Sequence, residues 1–173
     1  MRGKNMGLLH IYCGDGKGKT TAAVGLAVRA CGAGLKTEFV QFMKGGETSE
    51  LEALKRIDGL NITRCDRNYG FTFTMTEQDK SDITECHNKL LSAFDRGADV
   101  VILDEFSSAY NYELIDRELA ERKVFEGLKT AEVVITGRDP DEKFLAAADY
   151  ISEIKCVRHP YEKGINARKG IEF

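Results

Sequence analysis

The sequence is poor in the features that mark several large classes of protein. No apolar run approaches the ~20 residues that a membrane-spanning helix needs, so no membrane association is expected. Two prolines and no long linker among 173 residues argue for a single domain over residues 1–173, a length that can bury a proper core. The 25 basic residues are balanced by 28 acidic ones, and the net charge of -3 gives no electrostatic case for a nucleic-acid binder. The five cysteines, Cys13, Cys31, Cys65, Cys86 and Cys156, form no C-x-x-C pair and are odd in number. That argues against a zinc site or a disulfide framework, and free thiols in a reducing cytosol are expected. Repeats and low-complexity segments are absent. The opening "MRGKNMGLLHIY" has positive charge but only a short apolar stretch, which runs directly into a glycine-rich loop. A secretory signal is therefore not expected, and a cytoplasmic location is.

What is present is an ordinary globular balance, 42% hydrophobic and 31% charged. Short apolar runs at Leu8–Tyr12, Thr37–Phe42, Leu60–Thr63, Asp99–Glu105, Glu132–Arg138 and "YISEIKCV" read as strands. Helical patterns lie between them. Thr20–Ala33 is alanine-rich and closed by Gly34; Glu50–Ile57 can be a short helix. Thr76-x-x-Asp79 resembles a capping box opening a long helix with an apolar side of Ile83, Cys86, Leu90, Leu91 and Phe94, stopped by Gly97. A further helix is expected over Ile115–Lys129. Asp139-Pro140-Asp141-Glu142 has the cap, proline and acids of a helix start. Alternating strands and helices predict an α/β fold, a mostly parallel sheet with helices on both faces. Ligands then bind at the carboxyl ends of strands, where the loops after Tyr12, Phe42, Thr63, Glu105 and Thr136 would converge.

"YCGDGKGKTTAA", Tyr12 to Ala23, is close to the phosphate-loop pattern G-x-x-x-x-G-K-[ST], with Cys13 where the first glycine belongs. Gly14, Gly16 and Gly18 alternate, which lets the backbone turn sharply and aim N–H groups inward. The following helix adds its positive end. Lys19 would neutralise phosphate charge and the Thr20 hydroxyl would bind Mg²⁺. The plainer reading, a glycine turn with exposed lysines, fits poorly with a strand before and a helix after. Cys13 is tolerable if its position needs no positive φ.

Asp104-Glu105 ends an apolar strand, where a carboxylate would hold Mg²⁺ directly or through water. Glu105 could instead orient an attacking water, or both acids could simply cap a helix. Arg138 and Lys44 each follow a strand; each is either a phosphate-site cation or a surface charge. Phe71 and Phe73, in "GFTF", offer an aromatic surface for a large flat ligand or pack on one face of a hairpin, and periodicity alone favours the hairpin. His87, beside Cys86 without a second metal ligand, reads as structural. The tail from Val157, with Arg158, His159, Lys163, Arg168 and Lys169, reads as solvated, although Gly164, Gly170 and Ile171-Glu172-Phe173 suggest an ordered turn.

Taken in order, "GDGKGKTTAAVGLAVRACGAG", "VQFMKGG", "GFTF", "VVILDE", "VVITGR" and "RHPYEKGINARKGIEF" resemble the P-loop type of ATP:corrinoid adenosyltransferase, over almost the whole chain. The resemblance implies a RecA-like P-loop fold. It also implies transfer of the 5′-deoxyadenosyl group of ATP to Co(I) of a corrinoid, cobalamin or a precursor, with release of triphosphate. Gly14, Asp15, Gly16, Lys17, Gly18, Lys19, Thr20 and Thr21 would clamp the triphosphate, with ATP held in a reversed sense. Arg29 and Arg138 match positions associated with ATP. Thr20, Asp104 and Glu105 are the candidates for Mg²⁺, or alternatively Mn²⁺. Phe71 and Phe73 match aromatic positions that displace the lower axial ligand of the corrinoid; at Phe73 some relatives carry tryptophan. With Lys19 they form the expected catalytic set. A flavoprotein reductant and a homodimer are further implications. The N-terminal arm that covers the corrinoid in relatives is expected to be absent or supplied otherwise.

Overall fold

The computed structural model describes residues 6–46, 48–70 and 72–172. Six strands form one sheet: β1 (Leu9–Cys13), β2 (Thr37–Gln41), β3 (Leu60–Arg64), β4 (Val100–Asp104), β5 (Glu132–Thr136) and β6 (Tyr150–Glu153). Their order is β3-β2-β4-β5-β1-β6, and every pairing is parallel. The expected mostly parallel sheet is thus wholly parallel among the described residues.

Among the described residues six α-helices connect the strands: α1 (Lys19–Gly32), α2 (Ser49–Leu54), α3 (Glu77–Leu90), α4 (Phe106–Asn111), α5 (Arg117–Gly127) and α6 (Glu142–Ala147). Alternate residues of β4 and β5 feed opposite faces, as the pleat requires. Val101, Leu103, Val133 and Ile135 pack with Leu90, Phe106, Tyr110, Val124 and Phe144 on the α3–α6 side. Val100, Ile102 and Val134 meet Ala23, Ala27, Ala30 and Leu54 on the α1–α2 side. The alanines of α1 bring that helix close to the sheet, which fixes the loop at its start.

Helix boundaries follow local chemistry. Thr76 and Asp79 form the reciprocal capping box before α3. Asp116 caps α5 and Asp141 caps α6. After Leu90, α3 tightens into a 3₁₀ turn over Leu91–Arg96, which Gly97 ends at φ 68°.

Several expectations need correction. Cys65, just past β3, and Cys86, on α3, are joined by a disulfide with Cα atoms 6.1 Å apart. The free-thiol expectation therefore holds only for Cys13, Cys31 and Cys156; a contact created by the fold leaves no spacing signal. Helix α4 starts directly after Glu105, its N-cap, where the helix-cap alternative for the two acids places a helix start. The last strand stops at Glu153, and the backbone of Ile154 turns to meet the glycine loop. The "GFTF" region forms a single 3₁₀ turn, Thr72–Thr74, and not a hairpin. Phe73 is 84% exposed, so the burial that a hairpin would give it is overturned, while Phe71 lies outside the described residues.

Candidate active site

Because the sheet is parallel, the loops after its strands gather along one edge, and the glycine loop sits where β1 is flanked by β5 and β6. Cys13 is the last residue of β1, its carbonyl accepting the Ile154 N–H at 2.8 Å. It is not among the residues with positive φ, so the place of the missing glycine demands nothing that cysteine cannot supply. Burial, followed by the nearby Glu153 charge, pushes the Cys13 thiol pKa up, which suits an inert packing residue.

The glycines differ in what they do. A Cβ on Gly14 would lie 2.5 Å from the Ile154 carbonyl oxygen, and one on Gly16 would lie 2.7 Å from the same atom. The Gly14 N–H donates to Arg138 O at 3.1 Å and the Gly16 N–H to Ile154 O at 2.8 Å. These two glycines therefore admit neighbouring backbone, and their own N–H groups donate within the protein. Gly18 has open space around its α-carbon but φ 123°, so its role is conformational. Helix α1 starts there without a side-chain cap, leaving its first-turn N–H groups for an anion.

Lys19 folds back, its Nζ donating to Gly16 O at 2.8 Å. Lys17 and Thr21 are exposed at the loop. Asp15 turns outward: its Oδ1 accepts the Cys156 N–H at 2.9 Å, and that hydrogen bond holds the carboxyl below its ordinary pKa. Arg138 is exposed next to the loop and close enough to lower the Asp15 pKa further.

Asp104, fully buried at the end of β4, is the hub. Its Oδ1 accepts from the Thr20 hydroxyl at 2.9 Å and from the Thr136 hydroxyl at 2.8 Å. Its Oδ2 accepts from Lys44 Nζ at 2.8 Å, with Gln41 Nε2 at 3.5 Å. Lys44 also donates to the Thr20 oxygen at 3.1 Å. A carboxylate and a hydroxyl so placed are hard oxygen donors of the kind Mg²⁺ takes, an ion that keeps several waters and needs few protein ligands. The two acids have parted. Glu105 leaves the strand at φ 58°, its N–H donates to Thr136 Oγ1 at 2.9 Å, and its carboxylate accepts from Ser108 at 2.6 Å. Thr136 and Gln41 were missed in the sequence. The available signal was register: Gln41 pairs with Asp104, and Leu103 with Ile135, just before Thr136.

His87 supports this hub from behind. It is buried, Nδ1 lies 2.7 Å from Leu114 O, and Nε2 accepts the Met43 N–H at 3.2 Å. Burial lowers its pKa to about 4, so the ring is neutral at ordinary pH, as an acceptor Nε2 requires. Arg29 is not brought to the loop. Ten residues beyond Lys19 it is about 15 Å along the helix, where it borders a separate cavity with His10, Glu132 and Tyr150 at the opposite edge of the sheet.

A glycine loop between β1 and α1, with a buried carboxylate two strands away against its threonine, defines an α/β protein of the P-loop class. The chain matches the ATP:corrinoid adenosyltransferase family BtuR/CobO/CobP over residues 5–173, and it belongs to that family of transferases. It is 34% identical to a corrinoid adenosyltransferase of Pseudomonas aeruginosa, across 96% of this chain and 84% of that protein. The same identity is found with corrinoid adenosyltransferases of Escherichia coli K12 and Salmonella typhimurium, each across 96% of this chain and 86% of the relative.

Proposed function

We propose that this protein transfers the 5′-deoxyadenosyl group of ATP to Co(I) of a corrinoid and releases inorganic triphosphate, a step of cobalamin biosynthesis or salvage. The observation that carries the reading within the P-loop class is the parting of the two acids. An ordinary ATPase or kinase reading needs an acid free to orient a water or acceptor, whereas the Glu105 carboxylate is engaged by Ser108 at 2.6 Å. Adenosyl transfer needs no such base, because Co(I) is itself the nucleophile.

Attack at the ribose C5′ breaks the C5′–O bond, and charge collects on the departing triphosphate. The first-turn N–H groups of α1 face that charge, and Lys19 can exchange its carbonyl contact for a phosphate oxygen. Thr20 and Asp104 would hold Mg²⁺ or Mn²⁺, which when bound supplies further neutralisation of the leaving group. Phe73, exposed on the turn after β3, together with Phe71, would be covered by the corrinoid and displace its lower axial ligand, easing reduction of Co(II). In the same reading the reaction runs in the cytoplasm, on a homodimer, with a flavoprotein as electron donor. Among the described residues, no helix is long and apolar enough to cross a membrane.

The test is product analysis with ATP, a strong reductant and cobalamin. Formation of a Co–C bond with one triphosphate per turnover is expected; ADP and phosphate without a Co–C bond would overturn the reading.

A further inference from the structure

We propose that Lys44 is the resident counter-cation of Asp104, displaced by the metal when ATP binds and then transferred to the triphosphate. This rests on the reading of Thr20 and Asp104 as metal donors. The ammonium lies 2.8 Å from Asp104 Oδ2 and 3.1 Å from Thr20 Oγ1. A metal bound to those two oxygens at about 2.1 Å would occupy the same space, and two cations cannot share it.

Burial explains why a cation stands there. The Asp104 carboxylate has no exposure. Two hydroxyl donors serve one of its oxygens, and a long 3.5 Å amide contact adds little at the other. A buried carboxylate left without a positive partner is strongly unfavourable, and Lys44 meets that need before nucleotide arrives.

The chain around Lys44 is built to fix the base of the side chain and leave its tip movable. Met43 adopts φ 58°, a conformation unusual for a residue other than glycine, and its N–H is anchored on His87. Gly45 packs so tightly on the next loop that a Cβ would lie 2.4 Å from Arg67 O. Between these anchors, the Lys44 side chain is 28% exposed at the mouth of the site, with a flexible four-carbon stem. Its ammonium can therefore swing from the carboxylate to a phosphate oxygen without backbone movement. Lys19 makes the parallel exchange from Gly16 O, so triphosphate binding would draw two lysines from protein oxygens.

The test compares wild type with Lys44→Gln, Lys44→Met and Lys44→Arg. Mn²⁺ alone is titrated by electron paramagnetic resonance, and melting temperature is followed with and without Mn²⁺. Removing the competing ammonium should tighten Mn²⁺ binding on the order of tenfold in the Gln and Met variants. Mn²⁺ should also raise the melting temperature of those two but barely that of wild type or Lys44→Arg. Their kcat/KM for ATP should fall at the same time, an opposite-sign pair that a purely structural lysine would not produce. Adding Asp104→Asn to Lys44→Gln should abolish the gain in Mn²⁺ affinity. Mn²⁺ binding no tighter than wild type in both neutral variants would overturn the proposal. Failure of the adenosyl-transfer reading would appear separately, as wild-type protein that makes no Co–C bond.

Discussion

Asp104 ends the parallel strand β4 and Phe73 lies on the turn after β3, yet one is fully buried and the other 84% exposed. Around Asp104 three polar contacts of 2.8–2.9 Å come from β5, α1 and the loop after β2, with a longer one of 3.5 Å from β2, so this cluster is preset by the fold. The Phe73 side is a single 3₁₀ turn over Thr72–Thr74. Under the proposed function, the contrast follows substrate chemistry. A triphosphate is gripped by preset dipoles and charges, whereas a corrinoid is a large flat body that side chains cover on arrival. The largest effects of mutation should therefore fall on catalysis and stability at the first region, and on one partial reaction alone at the second.

Lys19→Ala should have the largest effect, lowering kcat/KM for ATP by about 10²–10³-fold with little change in melting temperature, since the lysine's partner here is a backbone carbonyl of its own loop, three residues back. Steady-state kinetics beside a thermal melt would check it. A loss of stability as large as the loss of rate would mean that this half is held together by Lys19 and is not preset.

The pH response comes next and sharpens the same point. Burial lowers the pKa of His87 to about 4 in the fold, against an ordinary value of 6.5. Between those values the unfolded chain binds the proton and the native chain does not, so stability rises with pH. The contribution is full above about 6.5 and is lost as pH falls toward 4, amounting to at most about 3 kcal/mol. Urea melts at pH 7, 5.5 and 4.5 should show the decline, and His87→Gln should flatten it. An unchanged slope in that variant would place the acid sensitivity elsewhere.

The glycines give a smaller, local effect. Gly14→Ala should cost about 2 kcal/mol, because the added Cβ meets the Ile154 carbonyl at 2.5 Å on a backbone with φ 100°. Gly18→Ala has strain but open space, and should weaken ATP binding more than it lowers stability. Equal stability losses in the two would erase the distinction between a packing glycine and a conformational one.

These contrasts also mark what the sequence could reveal. Local signals were legible: the strand–glycine loop–helix unit, the capping box of Thr76 and Asp79, and the apolar runs of β4 and β5. Long-range contacts were not. The Cys65–Cys86 disulfide, the Asp15 bond to the Cys156 N–H, and the reason Gly14 and Gly16 must be glycine all depend on chain that returns from far along the sequence. Lys44 was ambiguous because a lysine after a strand looks the same whether it faces solvent or a buried carboxylate. Glu105 could not be told from Asp104 until the positive φ turned it onto α4. Arg29 matched a pattern, but ten residues of helix carry it to the other edge of the sheet.

The smallest effect on the fold, and the sharpest test of the comparison, belongs to Phe73→Ala. An aromatic ring this exposed contributes little to packing, so stability should change by no more than about 0.5 kcal/mol. If the ring acts on the corrinoid, its loss should appear only where the lower ligand must be displaced. The rate from Co(II) cobalamin with reductant should drop, while the rate from cobalamin already reduced to Co(I) should stay near wild type. Phe71→Ala should behave alike, and the double variant should compound the Co(II) defect. Equal losses from both oxidation states would instead mean that the aromatics only bind the corrinoid. No loss from either would move the corrinoid surface away from this turn, leaving the exposed tail as the part of the chain to test next.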